Sequence, residues 1–491
     1  MTPADVPLPP ADLRVADLDG RRVGVWGAGR EGAAAVRALR RHAPSAEVVV
    51  GLSTPPADGA PVVVADAPPA LAGDAALDAL AGCDVVIRSP GVPIRGAEAA
   101  RVRAGGATIT SGTALWLAER GSRETVVGIT GTKGKSTTAS LAHHLLGAAG
   151  VRAALAGNIG RPLLDELDPV DPPEAWVVEL SSYQLADLPQ SPTIAVVTNL
   201  LRDHLPWHGD EATYHHDKLR ILTAGTGPRM AVLPRTDAGL VAAAERIATG
   251  GRLLPVTWTD DPHGLHVADG ALRDGPRSLA PIEALPLRGA LGARNVAMAL
   301  QVVRDLGHEV ADVAAALRDF RPLPHRQQIV AHDAGGRRWV DDSISTTPEA
   351  ALFALAAFAP GPVVLLAGGD DRAQQYETLA AALAGGRVPA GTPGAVDLPI
   401  TVAGLVALPG TGPALVQAVR DADGEASVAL REVAPGEPQA VMDEAVAVAA
   451  ALAPPGATIL LSPAAPSHNV FRDFEDRGRR FADAVARLAG R

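Results

Sequence analysis

Apolar and polar positions along this 491-residue chain repeat one arrangement: a short wholly apolar run, a glycine-rich turn, then an alanine- and leucine-rich stretch of helical spacing. Val23–Trp26 is the first such run, followed by Gly27-Ala28-Gly29-Arg30-Glu31-Gly32 and a helical stretch through Arg41. Further β-rich runs at Glu47–Val50, Pro61–Val64 and Asp84–Ile87 alternate with helical segments, which predicts a parallel sheet with crossover helices. A second segment opens near Arg123 with Thr125–Thr130, again a strand entering a glycine-rich turn, with a helix expected from Thr138. Ala175–Leu180 and Thr193–Leu200 are apolar without alternation, as strands covered on both faces are. A third segment begins near Pro322 and carries strand-like runs at Val363–Gly369, Ile400–Leu405 and Ala457–Pro463. Pro389–Pro399 and Pro409–Pro413 are expected to be loops. The predicted class is α/β in three domains, residues 1–120, 121–321 and 322–491.

Composition narrows the possibilities. At 47% hydrophobic residues the chain can bury substantial cores, which excludes a mostly disordered protein. No apolar run reaches the roughly 18 residues of a membrane span, and Met1–Arg14 lacks a basic and apolar leader, so neither membrane insertion nor secretion is expected. The single cysteine, Cys83, permits no internal disulfide and fits a reducing cytoplasm. A net charge of −11 argues against a general nucleic-acid binder. Among 44 basic residues only Lys133, Lys135 and Lys218 are lysine. Where arginine has replaced lysine almost everywhere, a retained lysine marks a place that needs an amine, because guanidinium differs in shape and does not lose its proton.

Two of the three lysines lie in Gly128-Ile-Thr-Gly131-Thr132-Lys133-Gly134-Lys135-Ser136-Thr137. Such a loop, between strand and helix, turns backbone N–H groups toward a phosphate, and the helix start adds positive potential. Lys135 would reach the β- and γ-phosphates and the Ser136 hydroxyl would bind Mg²⁺. The glycine spacing is one residue longer than the common phosphate-loop form. The Gly27–Gly32 turn has a dinucleotide-fingerprint pattern, yet no acidic residue follows about 20 positions later as an NAD site requires. Another diphosphate, or no ligand at all, fits this turn equally. Glu179 and the Asn199-Leu-Leu-Arg-Asp-His204 stretch both stand at carboxyl ends of predicted strands, where open α/β sheets bind ligands. Glu179 is then a candidate Mg²⁺ ligand. His215 and His216 are expected at the surface. Lys218 cannot ligate a cation as an ammonium, but CO₂ can carbamylate it to an anion.

In the third segment the polar strand ends are Pro324-His325-Arg326, Asp341–Pro348, Gly368–Arg372, Ser462-Pro463 and Ser467-His468-Asn469. Together they suggest a second binding face, although each alone could be a turn or a cap; Ser343 suits a helix N-cap.

These stretches resemble the Mur ligases, ATP-dependent amide-forming enzymes of peptidoglycan synthesis. GITGTKGKST, ELSSYQ, NLLRDH, HDKLR, GARN, LPHR, DDS and SPAAPS with FRDFEDRG occur in the family's order over almost the whole chain. The chain is most similar to the MurD group, which adds glutamate to UDP-N-acetylmuramoyl-L-alanine. The resemblance implies an N-terminal Rossmann-like UDP-binding domain, a central phosphate-loop ATPase sheet and a C-terminal Rossmann-like domain. It implies two Mg²⁺ ions, one on Ser136 and Glu179, the other served by His204 and a carbamylated Lys218. The catalytic set would be Lys135, Glu179, His204 and Lys218. ATP would contact Gly131, Thr132, Lys133, Gly134, Lys135, Ser136 and Thr137, with Asn295 at adenine, Arg326 at the γ-phosphate and Asp342 at ribose. Gly27, Ala28, Gly29, Arg30 and Asn158 would meet the UDP-sugar.

The departures bear on the amino acid. Ile344 stands where the group has a lysine that helps bind D-glutamate, and Arg372 replaces a second family lysine. Isoleucine cannot pair a carboxylate. GTKGKST in place of GTNGKST, with DSISTTP, resembles the variant that adds L-glutamate, whose product a separate epimerase, MurL, then inverts. Thr346, Arg372, Ser467 and Phe474 are the candidate glutamate contacts. Two alternatives are ordinary D-glutamate addition and a non-catalytic nucleotide-binding regulator; the complete set with Lys218 speaks against the latter.

Overall fold

The computed structural model describes residues 6–55, 62–121, 123–251, 254–287, 289–389, 398–422 and 428–489. Contacts divide the chain into two compact units, residues 1–279 with 294–317 and residues 280–293 with 318–491.

The first unit holds two parallel sheets. In one, β1 (Arg22–Trp26), β2 (Glu47–Leu52), β3 (Leu71–Ala72), β4 (Val85–Arg88) and β5 (Thr108–Ser111) run in the order β3-β2-β1-β4-β5. The order reverses between β1 and β4, so a crevice opens at their carboxyl ends, beside the Gly27 turn. The run expected at Pro61–Val64 is not a strand: residues 62–64 are irregular, Pro61 lies outside the described residues, and Leu71–Ala72 takes the edge instead. A run of three valines behind a single proline is too short to sustain a ladder there.

The second sheet comprises β6 (Thr125–Thr130), β7 (Ala153–Gly157), β8 (Ala175–Glu179), β9 (Ile194–Val197), β10 (Met230–Pro234) and β11 (Val256–Thr259), ordered β11-β10-β9-β6-β8-β7. Apart from Thr125 at the start of β6, its central strands are buried, as their unbroken apolar runs require. β6 lies between β8 and β9, with Ile129 opposite Glu179 and Thr130 opposite Val197. Three adjacent parallel strands therefore deliver the phosphate loop, Glu179 and Asn199 to one edge. One apolar core joins helices of the first sheet to strands of the second, and within it Trp116 meets Trp176 edge to face at 5.2 Å. An antiparallel sheet of β12 (Leu265–Ala268), β13 (Ala271–Asp274) and β14 (Arg277–Pro281) was not foreseen. Its strands are short, partly exposed and joined by the tight turns at Gly270 and Gly275.

The second unit is built on β15 (Gln328–His332), β16 (Arg338–Asp341), β17 (Pro362–Ala367), β20 (Thr401–Ala407), β21 (Ala429–Glu432) and β22 (Thr458–Leu461), with β18 (Arg387–Val388) and β19 (Leu398–Pro399) as a separate small pair. The main order is β15-β16-β22-β17-β20-β21, parallel except for β15. Most of the loop expected at Pro389–Pro399 lies outside the described residues, but Leu398–Pro399 is a strand. The loop expected at Pro409–Pro413 ends early, because Gly412–Asp421 is helical with Pro413 in its first turn, where proline lacks no needed hydrogen bond. Thr347, not Ser343, caps the Pro348–Phe358 helix, its Oγ accepting from Ala350 N. Ser343 is fully buried and donates to Phe474 O at 2.8 Å.

Candidate functional site

The phosphate loop is shaped by the residues that follow β9. Asn199 Oδ1 accepts from the N–H groups of Thr132 (3.1 Å) and Lys133 (2.9 Å), and its Nδ2 donates to Lys133 O (2.9 Å). Thr198 Oγ donates to the same carbonyl. Gly131 has φ +145°, and a Cβ there would lie 1.8 Å from Thr198 Oγ, so only glycine fits. The helix begins at Lys135, three residues earlier than expected, with Gly134 in the left-handed conformation just before it. Lys135 curls back over the loop, Nζ 3.0 Å from Thr132 O, while Lys133 pairs with Asp203 at 3.4 Å. Ser136 is buried in the helix's first turn.

Glu179 follows on β8. Its Oε1 accepts from Asn158 Nδ2 at 2.8 Å, and its Oε2 is buried without a hydrogen-bond partner. A buried carboxyl oxygen left unsatisfied costs free energy unless a donor or a cation completes it. Among the described residues no three His, Cys, Asp or Glu side chains form a metal cage. Mg²⁺ bound mainly by phosphate oxygens and water needs only one or two carboxylates, so Glu179 with the Ser136 hydroxyl fits that ion.

Lys218, on the Glu211–Thr223 helix, is 1% exposed and donates from Nζ to Gly131 O at 2.8 Å, with Nζ 4.9 Å from the centre of the Tyr214 ring. Burial, reinforced by the charges of Lys135 and Lys133, pushes its amine well below the ordinary lysine range. A neutral amine is the form that attacks CO₂. His204, in the left-handed conformation before the Leu205–His208 turn, meets Tyr183 OH through Nδ1 at 3.0 Å. Burial and the three lysines push its pKa down to about 4, which leaves a neutral ring able to ligate a metal at neutral pH. Asn295 lies behind the loop, its Oδ1 buried without a partner, 2.7 Å from where a Gly134 Cβ would stand. His215 is half-buried against Leu201 O rather than fully at the surface. Lys135, Glu179, His204, Lys218, Asn158 and Asn295 thus come together around the phosphate loop.

The Gly27–Gly32 turn reaches this region as well, because Arg30 Nη2 donates to Gly160 O in the turn that carries Asn158. At the end of β2, where an NAD site places an acid, stands Ser53, donating to Glu98 at 2.7 Å. One contribution of the first sheet was not anticipated: Ser89–Ile94, the loop after β4, has Ser89 Oγ buried without a partner and Arg88 and Arg95 at its ends. An arginine closing a buried apolar strand, followed by Ser-Pro-Gly-Val-Pro, was the available signal.

In the second unit β16, β22 and β17 are adjacent, so their ends bring Asp341–Ser345, Ser462–Ser467 and Gly368–Arg372 to one edge. Asp342 is buried; its carboxyl accepts from Ser345 Oγ, Ser462 Oγ (2.8 Å) and Gln327 N (3.1 Å). Burial nevertheless raises its pKa to about 7. Ile344 and Thr346 are half-buried, as is Arg326. Arg372 is exposed, with Nε 3.5 Å from Asp370. Ser467 is buried, its carbonyl accepting from Phe471 N, and Phe474 starts the last helix with its ring 6.0 Å from that of His325. Sequence reasoning passed over Arg477, which is fully buried and ties Ser343 Oγ and O to the carbonyls of Ala465 and Pro466. Burial lowers its pKa to about 9.

None of the described helices is long and apolar enough to cross a membrane. Residues 129–251 match the Mur ligase middle domain. The chain is 40% identical over 486 residues to the UDP-N-acetylmuramoyl-L-alanine--L-glutamate ligase of Xanthomonas axonopodis pv. citri, covering 96% of each. It is 40% identical to the protein of the same name from Salinispora tropica, covering 97% of this chain and 100% of that one. Its fold is shared with MurF of Thermotoga maritima solved with ADP (TM-score 0.54, 16% identity, 98% and 99% covered) and with MurC of the same organism (0.53, 17%, 95% and 100%). The order of its motifs, the strand-end chemistry and full-length relatives at this identity give one answer: the chain belongs to the Mur ligase family.

Proposed function

We propose that the chain joins L-glutamate to UDP-N-acetylmuramoyl-L-alanine at the expense of ATP, releasing ADP and phosphate, in peptidoglycan precursor synthesis. The observation that carries the reading is the buried Lys218 amine on the phosphate loop's own Gly131 carbonyl, because nucleotide binding alone has no use for it. The L-glutamate assignment is supported by Ile344 in place of a carboxylate-pairing lysine and by the names of the full-length relatives.

In this reading a carboxylate oxygen of the nucleotide sugar's alanine attacks the γ-phosphorus, the bond to ADP breaks, and an acyl phosphate forms. The glutamate nitrogen, as its neutral amine, then attacks the acyl carbon, phosphate leaves with the bonding pair, and the nitrogen gives up one proton to solvent and keeps the other as the amide N–H. The protein supplies position and charge rather than a covalent nucleophile. Lys135 and the loop residues Gly131, Thr132, Lys133, Gly134, Ser136 and Thr137 hold the phosphates, with the Thr132 and Lys133 N–H groups engaged by Asn199, Arg326 at the γ-phosphate, Asn295 at adenine and Asp342 at ribose. Mg²⁺, when bound, neutralises phosphate and carboxylate oxygens. Ser136 and Glu179 would hold one ion, His204 and carbamylated Lys218 a second. Gly27, Ala28, Gly29, Arg30 and Asn158 take the UDP-sugar; Thr346, Arg372, Ser467 and Phe474 take glutamate. The division at 1–120, 121–321 and 322–491 assigns one domain to each substrate. A cytoplasmic setting follows from the ATP requirement, and a MurL-type epimerase would act on the product.

The test is ADP release by the full chain with ATP, Mg²⁺, UDP-N-acetylmuramoyl-L-alanine and L-glutamate. Steady-state release beyond one equivalent per enzyme that requires all three substrates is expected. ATP turnover independent of the amino acid, or none, overturns the reading.

A further inference from the structure

The loop after β4 is fastened at both ends to the helices that follow β8 and β9. At one end Arg88, fully buried, places Nε 2.6 Å from Asp187 Oδ2 and donates from Nη2 to Tyr183 O at 2.7 Å. Between the ends, Trp207 Nε1 donates to Gly91 O at 3.1 Å. At the other end Arg95 forms a two-pronged pair with Asp217, Nη1 to Oδ2 at 2.8 Å and Nη2 to Oδ1 at 2.7 Å.

Asp217 is fully buried and immediately precedes Lys218. Its Oδ2 also faces His208 Nδ1 at 2.8 Å, and His208 Nε2 lies 3.0 Å from Ser182 Oγ. A carboxylate only accepts, so Nδ1–H donates to Asp217, while Nε2 shares a hydrogen bond with the Ser182 hydroxyl. Serine, histidine and aspartate here stand as in a hydrolase's nucleophile relay. All three side chains are buried, however, so no substrate reaches Ser182 and the chain holds parts in place instead. It ends beside Tyr183, whose hydroxyl meets His204.

We propose that Arg95, Asp217, His208 and Ser182 are positioning residues for the ligation. Successive helical residues point about 100° apart, so fixing Asp217 toward Arg95 fixes Lys218 toward Gly131. Rotating or sliding the Glu211–Thr223 helix would strand a buried carboxylate, which is strongly unfavourable. The loop of the sugar-binding sheet thereby sets the direction of the amine at the phosphate loop. The proposal rests on the ligase reading only for its kinetic consequence.

The full chain and its Arg95→Met, Arg95→Lys and Ser182→Ala variants test it, through kcat, each KM, the stoichiometry of ADP binding, and crystal structures. Arg95→Met should lower kcat about 10-fold or more, the scale of a supporting group behind a catalytic residue. KM for ATP and the fraction of protein that binds ADP should stay within about twofold of wild type on the same grounds. Arg95→Lys should recover part of kcat, and Ser182→Ala, which removes one hydroxyl, should show a smaller loss of the same kind. The Arg95→Met crystal structure should show Lys218 Nζ displaced from Gly131 O. An unmoved Lys218, an unchanged kcat, or a kcat loss matched by loss of ADP-binding protein overturns the proposal. An inactive wild-type protein overturns the ligase reading instead, and the position of Lys218 still decides this one. Should Arg95→Met not fold, Ser182→Ala with its crystal structure decides.

Discussion

Lys218 and Gly131 are 87 residues apart in sequence, yet the lysine's Nζ lies 2.8 Å from the glycine's carbonyl oxygen. All three lysines of the chain therefore belong to one loop: Lys133 and Lys135 within it, Lys218 fastened to it. Lys218→Arg keeps a cation but removes the amine. It should lower kcat by about 100-fold or more, on the scale of losing one preorganised electrostatic group, while ADP binding persists. Steady-state assays beside calorimetric ADP titration check this; near-normal turnover would disprove the carbamate role.

Lys135→Ala removes the side chain that lies over the loop with Nζ 3.0 Å from Thr132 O. Acyl-phosphate formation, followed as ADP released in a single turnover without glutamate, should fall by about 100- to 1,000-fold. Unchanged ADP release would contradict the phosphate-loop assignment.

Asp342 should make stability depend on pH in an unusual direction for a carboxyl group. Its folded pKa of about 7 lies above the ordinary 3.8 because it is buried. Between those values the native state holds a proton that the unfolded chain has lost, so this group's contribution declines as pH rises from about 4 to about 7 and is level above that. Asp342→Asn, which cannot ionise, should lack that decline. Melting temperatures at pH 5 and pH 8 test it: the variant should compare more favourably with wild type at pH 8, and an equal difference at both would refute the shift.

Gly478, in the last helix, has no room for a side chain. A Cβ there would stand 2.1 Å from His325 Nδ1 and 2.6 Å from Asp341 Oδ2, two atoms that face each other at 2.7 Å. Gly478→Ala should destabilise the second unit by roughly 1–3 kcal/mol, the range for overpacked sites, measured by chemical denaturation.

Wherever one short segment carried its own chemistry, the sequence was readable. The strand, glycine turn and helix around Lys135 announce a phosphate site, and Glu179 stands where a wholly apolar strand ends. Arg95, His208 and Asp217 were not readable, because each looks like an ordinary surface charge until the fold buries them against one another. Asn199 was noted only within its motif; its work, two accepted and one donated backbone hydrogen bond, appears when β9 lies beside β6. The antiparallel β12–β14 sheet escaped because its strands are short and only partly buried, leaving little hydrophobic period to detect. Ser343 looked like a cap by residue type, but burial turned it inward and left the capping to Thr347.

The substrate question rests on Ile344, half-buried beside Asp342 and Ser343 with its N–H 3.3 Å from His325 O. The direct measurement is product formation by the full chain with ATP, Mg²⁺ and UDP-N-acetylmuramoyl-L-alanine, with L- and D-glutamate offered separately. Turnover with L-glutamate and little or none with D-glutamate is the predicted result. Turnover of D-glutamate with none of L-glutamate would contradict it.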